Sequence, residues 1–257
     1  MNYRFTDAVL RFANEECKPA SAAEFLGALR RIEDDYGYPK VLEVQNLLDS
    51  HDVARLGSAV MNPEARLDHD ANVKGRPDYR TGPPNREARQ KLKFMATLQF
   101  LLPGAPYIYY GTEAGMRGAD DPDCRKPMLW PEIKYDDEAF LPTQERGSPV
   151  RVAFDTELHR FYQSLCHIRR KSAVWRRGDF QILFTSERWF AFRRKLGTEE
   201  AVVVVNAGRT AVGAPVQKFL AEGDKVQSLS SPTHPKRAES VAGFEVDPWG
   251  IVILQLK

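Results

Sequence analysis

NLLDSHDVARL, residues 46–56, closes an apolar run with a compact polar cluster. The preceding VLEVQNLL, 41–48, is mostly apolar and reads as a strand buried on both faces, the pattern of a parallel sheet. Asp49, Ser50, His51, Asp52 and Arg55 then crowd the point where that strand ends, ahead of a short helix expected over 53–60. Two readings fit these residues. Ser50 or Asp52 caps the helix, an arrangement both types favour. Alternatively, the cluster forms a binding site at the mouth of a β/α barrel, where chemistry sits at strand C-termini.

The surrounding sequence supplies the context. Phe5, Val9 and Phe12 share a helical face. A second helix starts at Ser21, with Glu24 three residues on as a capping box, and ends before Gly37 and Pro39. Residues 62–87 carry four prolines and two glycines and read as a long loop. The following helix, 87–102, is apolar around much of its circumference and therefore buried. YIYYG, 107–111, reads as a short aromatic strand, 112–150 as a second loop, and Asp155 as the cap of a further helix. After about residue 172 the pattern changes to short strands, DFQILFT, RWFAFRRKL, AVVVVNAG and GIVILQLK, separated by turn residues. The expected organisation is α/β over residues 1–171 and all-β over 172–257. Only two full parallel strands, and the tail of a third at 2–5, are visible in the first part.

Bulk properties narrow the function classes. The chain has 257 residues, 42% hydrophobic and 28% charged, with a formal net charge of +2. That balance gives no reason to expect nucleic acid or an anionic membrane as partner. No apolar run is long enough for a bilayer, and Arg4, Asp7 and Arg11 interrupt any signal-peptide core. Cys17, Cys124 and Cys166 are widely spaced with no CxxC, a pattern of reduced thiols in the cytoplasm.

Three stretches resemble the α-amylase family of glycoside hydrolases, nearest its neopullulanase, cyclomaltodextrinase and maltogenic-amylase branch. NLLDSHDVARL resembles the segment closing the seventh barrel strand, where the family carries a His-Asp pair. PGAPYIYYGTEAGMRGADDPDCRKPMLWP, 103–131, resembles the eighth strand and its loop, and MNYRFTDAVLRF the end of the sixth strand and its helix. The resemblance implies the C-terminal part of a (β/α)8 TIM barrel, about strands 6–8, followed by an antiparallel β-sandwich domain. It implies a retaining glycosidase acting on α-glucosidic linkages in maltodextrin, cyclodextrin or pullulan, with an α-glucan oligosaccharide as substrate. On this reading Asp52 stabilises the transition state by accepting hydrogen bonds from sugar hydroxyls as the ring flattens. His51 donates to the same sugar, and Arg55 and Trp130 are expected to bind substrate.

Two departures matter. Val53 stands where the family often has Thr, and YYGTE replaces YYGDE, so Thr112 weakens or removes a contact made by that Asp. Glu113 either supports the site from behind or pairs with Arg117 or Arg125. Arg125 is open between a salt bridge and substrate contact, Trp130 between stacking and packing; Tyr107, Tyr109 and Tyr110 are expected to pack. Asp120, Asp121 and Asp123 suggest calcium, but the oxygen spacing is irregular and the turn glycine is missing, so no cofactor or metal is expected. His159 and His167 are too far apart on one helix to share a metal, and His69 is expected in solvent.

The family nucleophile lies in a Gly-x-Arg-x-Asp pattern on the fourth strand, and the acid/base Glu ends the fifth. ARLDHD and GRPDYR, the nearest matches, follow no apolar strand. The chain is therefore expected to be a truncated portion, inactive alone, that needs the N-terminal part or a homo-oligomer. The alternative is a non-catalytic module that binds carbohydrate or protein.

Overall fold

The computed structural model describes residues 1–14, 16–65, 70–72, 75–140, 146–215, 219–220, 225–234 and 244–256. His69 and the Arg66-x-Asp68 pattern lie outside the described residues.

The first part is built from helices around a small parallel sheet. Helix α1 (Tyr3–Ala13) buries Phe5, Val9 and Phe12, and the Asn2 side chain accepts from Phe5 N–H at its start. Helix α2 (Ala22–Tyr36) opens with the expected capping box: the Glu24 carboxylate accepts from Ser21 N–H at 2.8 Å, and Ser21 Oγ accepts from Glu24 N–H at 3.2 Å. Strand β1 (Gln45–Leu47) is shorter than the apolar run 41–48, because Lys40–Glu43 forms a 3-10 turn after Pro39. Helix α3 (Leu56–Ala59) is likewise a single turn, starting later than expected. Helix α4 (Arg86–Leu101), capped by Asn85, is buried along most of its length. It leads to strand β2 (Ala105–Tyr107), two residues earlier than the aromatic run suggests.

Strands β1 and β2 pair in parallel, and Asn2 forms a parallel bridge to Asn46 on the other side of β1. The ladder has three pairs, and Pro106, opposite Asn46 at its middle, has no N–H to give. Side chains reinforce it. Gln99 Nε2 on α4 donates to the carbonyls of both Asn46 and Tyr107 at 2.9 Å, and Thr6 Oγ1 on α1 donates to Leu47 O at 2.8 Å. Gly104 takes φ +126° against this sheet; a Cβ there would fall 2.2 Å from Asn46 Nδ2.

The segment read as a loop over 112–150 contains an antiparallel pair, β3 (Glu138–Phe140) and β4 (Arg146–Val150). Helix α5 (Thr156–Lys171) follows, with Asp155 Oδ1 accepting from Leu158 N–H at 2.9 Å as its cap. A single turn, α6 (Val174–Arg177), leads into the β-rich part.

That part contains β5 (Asp179–Thr185), β6 (Trp189–Leu196), β7 (Glu199–Asn206), β8 (Val212–Ala214), β9 (Val226–Ser230), β10 (Phe244–Val246) and β11 (Gly250–Leu256). One antiparallel sheet has the order β5-β6-β7-β11-β9, and β8 pairs with β10 separately. Alternation divides the large sheet into two apolar faces. Val202, Val204 and Leu254 pack with Phe219, Phe244 and Val246. Phe190, Phe192, Val203, Val205 and Ile251 join the helical core. At that junction Phe12 stacks on Phe25 with centroids 4.5 Å apart, and Phe190 lies 5.7 and 5.8 Å from them.

Arginines complete the joint. Arg194 is fully buried; it donates to Leu101 O (2.7 Å), Asp179 O (2.9 Å) and Gly178 O (2.9 Å). Burial pulls its pKa down to about 10, so it remains a cation at neutral pH. No helix among the described residues is long and apolar enough to cross a membrane.

Arg194→Leu removes the Arg194 donor from Leu101 O and Asp179 O, while Gly178 O keeps the Tyr38 hydroxyl. It is expected to destabilise the chain by roughly 2–4 kcal/mol, while Lys, lacking the planar fork, recovers only part of the loss. Urea denaturation checks this; a Leu variant as stable as the parent would show that the fork contributes nothing.

Candidate functional site

The site begins where β1 ends. Asp49 and Ser50 are buried, whereas His51 and Asp52 turn outward with about half of each side chain exposed. A bridge between Ser50 and Val53 closes the bend, and Val53 is buried beneath it. His51 Nε2 lies 3.1 Å from Asp52 Oδ1. Tyr3 Oη sits 2.9 Å from Ser50 Oγ and donates to Asp52 Oδ2 at 3.2 Å, while Asp52 N–H donates to Ser50 Oγ at 3.0 Å. The Asp52 carboxylate is thus oriented from one side by the start of α1.

The loop after β2 holds it from the other side. His51 O accepts from Arg125 Nε at 3.0 Å and from the Cys124 thiol at 3.4 Å. Burial raises the Cys124 pKa to about 11, which keeps the thiol protonated as a donor. Arg125 also pairs with Asp121 at 2.7 Å and approaches Asp52 Oδ1 at 3.8 Å. It therefore ties the loop to the His51–Asp52 turn through both backbone and charge.

Arg55 has a different place from the one expected. It is fully buried, so the reading of Arg55 as a substrate-binding residue is corrected: it lies under the turn and has no surface to offer a ligand. Its guanidinium carbon is 4.1 Å from the Tyr109 ring centroid and 4.6 Å from that of Tyr110. Nε donates to Cys124 O at 2.7 Å and Nη1 to Tyr110 O. Arg55 N–H also donates to Gly118 O at 3.1 Å.

Asp49 is the residue whose role sequence reasoning missed. Neither Ser50 nor Asp52 caps the helix after the turn; Asp49 Oδ2 accepts from Leu56 N–H at 2.9 Å. The same oxygen accepts from Thr112 Oγ1 at 2.6 Å. Thr112 therefore makes a contact of its own, as a donor to a buried carboxyl group. Burial raises the Asp49 pKa, against the bonds from Leu56 and Thr112 and the attraction of Arg55. The only signal in the sequence is the polar Asp49 directly after Leu47 and Leu48; its partner is 63 residues away.

The remaining candidates separate. Trp130 is half exposed, and its backbone N–H donates to Tyr135 Oη at 2.7 Å; the hydrogen bonds and ring contacts of the described residues do not link it to His51 or Asp52. Glu113 pairs with neither Arg117 nor Arg125, and its buried Oε2 has no hydrogen-bond partner among the described residues. Asp123 accepts from Ala119 N–H at 2.7 Å and pairs with Lys126, and Asp121 pairs with Arg125, so these carboxylates face cations. No group of three or more His, Cys, Asp or Glu among the described residues could hold a metal. Chemically, the outward-facing pair combines an imidazole and a carboxylate, a donor and an acceptor suited to adjacent hydroxyls.

Residues 1–178 match the family model described as the alpha amylase catalytic domain. A cyclomaltodextrinase of Bacillus sp is 32% identical over 217 residues, covering 82% of this chain and 30% of that protein. Neopullulanase 2 of Thermoactinomyces vulgaris is 31% identical over 209 residues, covering 80% and 28%. The chain spans about a third or less of the curated relatives it matches. Among solved structures, an Anoxybacillus alpha-amylase aligns with TM-score 0.67 at 21% identity over 99% of this chain and 46% of its own. A cyclomaltodextrinase aligns with TM-score 0.66 at 26% identity over 100% and 36%.

The Asp49 pKa is raised, so the folded state holds this proton more tightly than the unfolded chain. The ionised carboxylate then costs stability at neutral pH, and that cost disappears as the group protonates in acid. Asp49→Asn, which keeps an acceptor without the charge, is expected to be at least as stable as the parent at pH 7, with the advantage vanishing below about pH 4. Thr112→Val removes a donor to the buried Asp49 carboxyl group and is expected to cost roughly 1–3 kcal/mol at pH 7. Denaturation of both variants at the two pH values checks the order; an Asn variant much weaker than the parent at pH 7 would reverse it.

Proposed function

Because the chain belongs to the alpha-amylase catalytic-domain family, we propose that it forms the C-terminal portion, about strands 6–8, of a (β/α)8 glycoside hydrolase barrel with its following β domain, the boundary lying near residues 171 and 172. The enzyme so formed acts on α-glucosidic linkages, and the names of its relatives point to cyclodextrins and pullulan as substrates. The observation carrying this reading is the His51–Asp52 pair, half exposed at the C-terminal end of a parallel strand and braced by Tyr3, Ser50 and Arg125.

In this reading Asp52 accepts hydrogen bonds from two neighbouring sugar hydroxyls. Those bonds strengthen as positive charge develops on the ring, so they favour the transition state over the bound substrate. His51 donates to a hydroxyl of the same sugar. Arg55 acts indirectly, by holding the loops that shape the turn. Trp130 remains a candidate for a sugar face at the rim.

A retaining glycosidase also needs a nucleophile and an acid/base about 5–5.5 Å apart. Neither is assigned to residues 1–257, so the segment alone binds or strains a sugar without cleaving it. The three cysteines, all free, fit a reducing compartment.

Residues 1–257 incubated with β-cyclodextrin or maltotriose are expected to release no glucose. The same segment fused behind the N-terminal barrel portion of a cyclomaltodextrinase is expected to restore release, and Asp52→Asn in that fusion to lower kcat by about 10²–10³-fold. Turnover by residues 1–257 alone, or a fusion indifferent to the Asn substitution, would overturn the assignment.

A further inference from the structure

Away from the His51–Asp52 turn, a cavity of about 730 Å³ lies between α4, the start of α5 and the loop after β2, with Glu138 of β3 on its wall. Its volume falls in the range of sites that enclose small organic molecules. Leu92, Met116, Leu129, Val152, Phe154 and Leu158 supply an apolar lining. None of the groups bonded to His51 or Asp52 contributes to it.

The charges around this lining do not balance. Five cationic side chains and the carboxylates of Asp136, Glu138 and Asp155 line the cavity, Asp136 with no ion pair among the described residues. Arg89 is paired with Asp155 at 2.6 Å, Lys126 with Glu138 at 2.6 Å, and Lys93 with Glu157. Arg117 and Arg151 have no carboxylate within ion-pair distance among the described residues. Arg117 Nη2 donates to Arg151 O at 3.2 Å, which brings the two residues together, and its Nη1 is buried with no hydrogen-bond partner. Burial lowers the Arg117 pKa, against the attraction of Glu138. A partly buried guanidinium without an anion is a costly arrangement that a bound anion relieves.

We propose that this cavity binds a small organic anion with an apolar body, its carboxylate or phosphate set against Arg117 and Arg151. The apolar wall receives the body and the unpaired cations fix the head group. This site is separate from the one assigned above to sugar and stands without that assignment.

The test is calorimetric titration of the full chain with 2-naphthoate, 2-naphthyl phosphate, neutral 2-naphthalenemethanol and inorganic phosphate, with amide shifts of Met116 and Phe154 reporting the location. At least one naphthyl anion is expected to bind and shift those amides, and whichever binds more tightly identifies the head group. Arg117→Gln should weaken that binding roughly tenfold or more, with the neutral analogue bound more weakly and insensitive to the change. Arg151→Gln, at an exposed position, tests the same charge should the Arg117 variant fail to fold. Absence of anion binding, equal binding of the neutral analogue, or indifference to both substitutions would overturn the proposal. So would inorganic phosphate binding as tightly as the naphthyl anions, since the apolar wall would then contribute nothing.

Discussion

The guanidinium of Arg55 is the fixed point of the site. It is buried against the rings of Tyr109 and Tyr110 and bonded to the carbonyls of Tyr110 and Cys124. Those groups lie at the end of one parallel strand and in the loop beyond it, whereas Arg55 follows the other strand. One planar side chain with several fixed donors therefore sets the distance between the two loops. The thiol of Cys124 and the side chain of Arg125 can then reach His51 O. The exposed pair owes its geometry to a residue it does not touch.

The same device recurs between the helical part and the large antiparallel sheet. Arg188 donates to Phe12 O, Ala20 O and Ala207 O, as Arg194 does to Leu101 O at the end of α4, and within the helical part Arg169 on α5 donates to Phe100 O and Gly104 O. Helix C-termini and turns leave carbonyls without backbone partners, and buried carbonyls need donors. A long side chain with a forked head meets several at once. The Phe12, Phe25 and Phe190 cluster supplies apolar contact at the same junction. Polar and apolar terms thus hold one surface, and a single core runs through both parts.

What could be read from the sequence was mainly local. The buried face of α1, the Ser21–Glu24 box, and Asp155 at the start of α5 each depend on residues within a few positions of one another. The lengths of β1 and β2 did not follow from their apolar runs: a 3-10 turn over Lys40–Glu43 takes up the start of the first, and the ladder between the two ends at Leu47 and Tyr107. The β3–β4 pair was hidden in a Gly-, Asp- and Pro-rich stretch. At the site, the outward turn of His51 and Asp52 matched the pattern, but Arg55 did not. A charged residue next to a polar cluster reads as a surface group, and only tertiary packing reveals an arginine enclosed by two tyrosines. The Asp49–Thr112 bond was similarly invisible, since each residue alone is an ordinary polar neighbour of a turn.

The two ways of joining surfaces respond differently to protons. Carbonyl oxygens do not titrate in the ordinary range, so the Arg188 and Arg194 bonds between helices and sheet persist in acid, unlike the pairs of Arg209 with Glu16 and Glu87. Helices α4 and α5 are linked both by Arg169, which donates to Phe100 O, and through carboxylates: Arg89 to Asp155, and Lys93 to Glu157. Asp155 has a lowered pKa because Arg89 and the Leu158 N–H outweigh burial, and Lys93 lowers that of Glu157. Their contribution is present above the unfolded carboxylate pKa and lost as pH falls through the folded one. Acidification therefore removes the ion-paired share of the α4–α5 contact, while the Arg169 bond to Phe100 O and the Arg188 and Arg194 bonds to carbonyls across the seam remain.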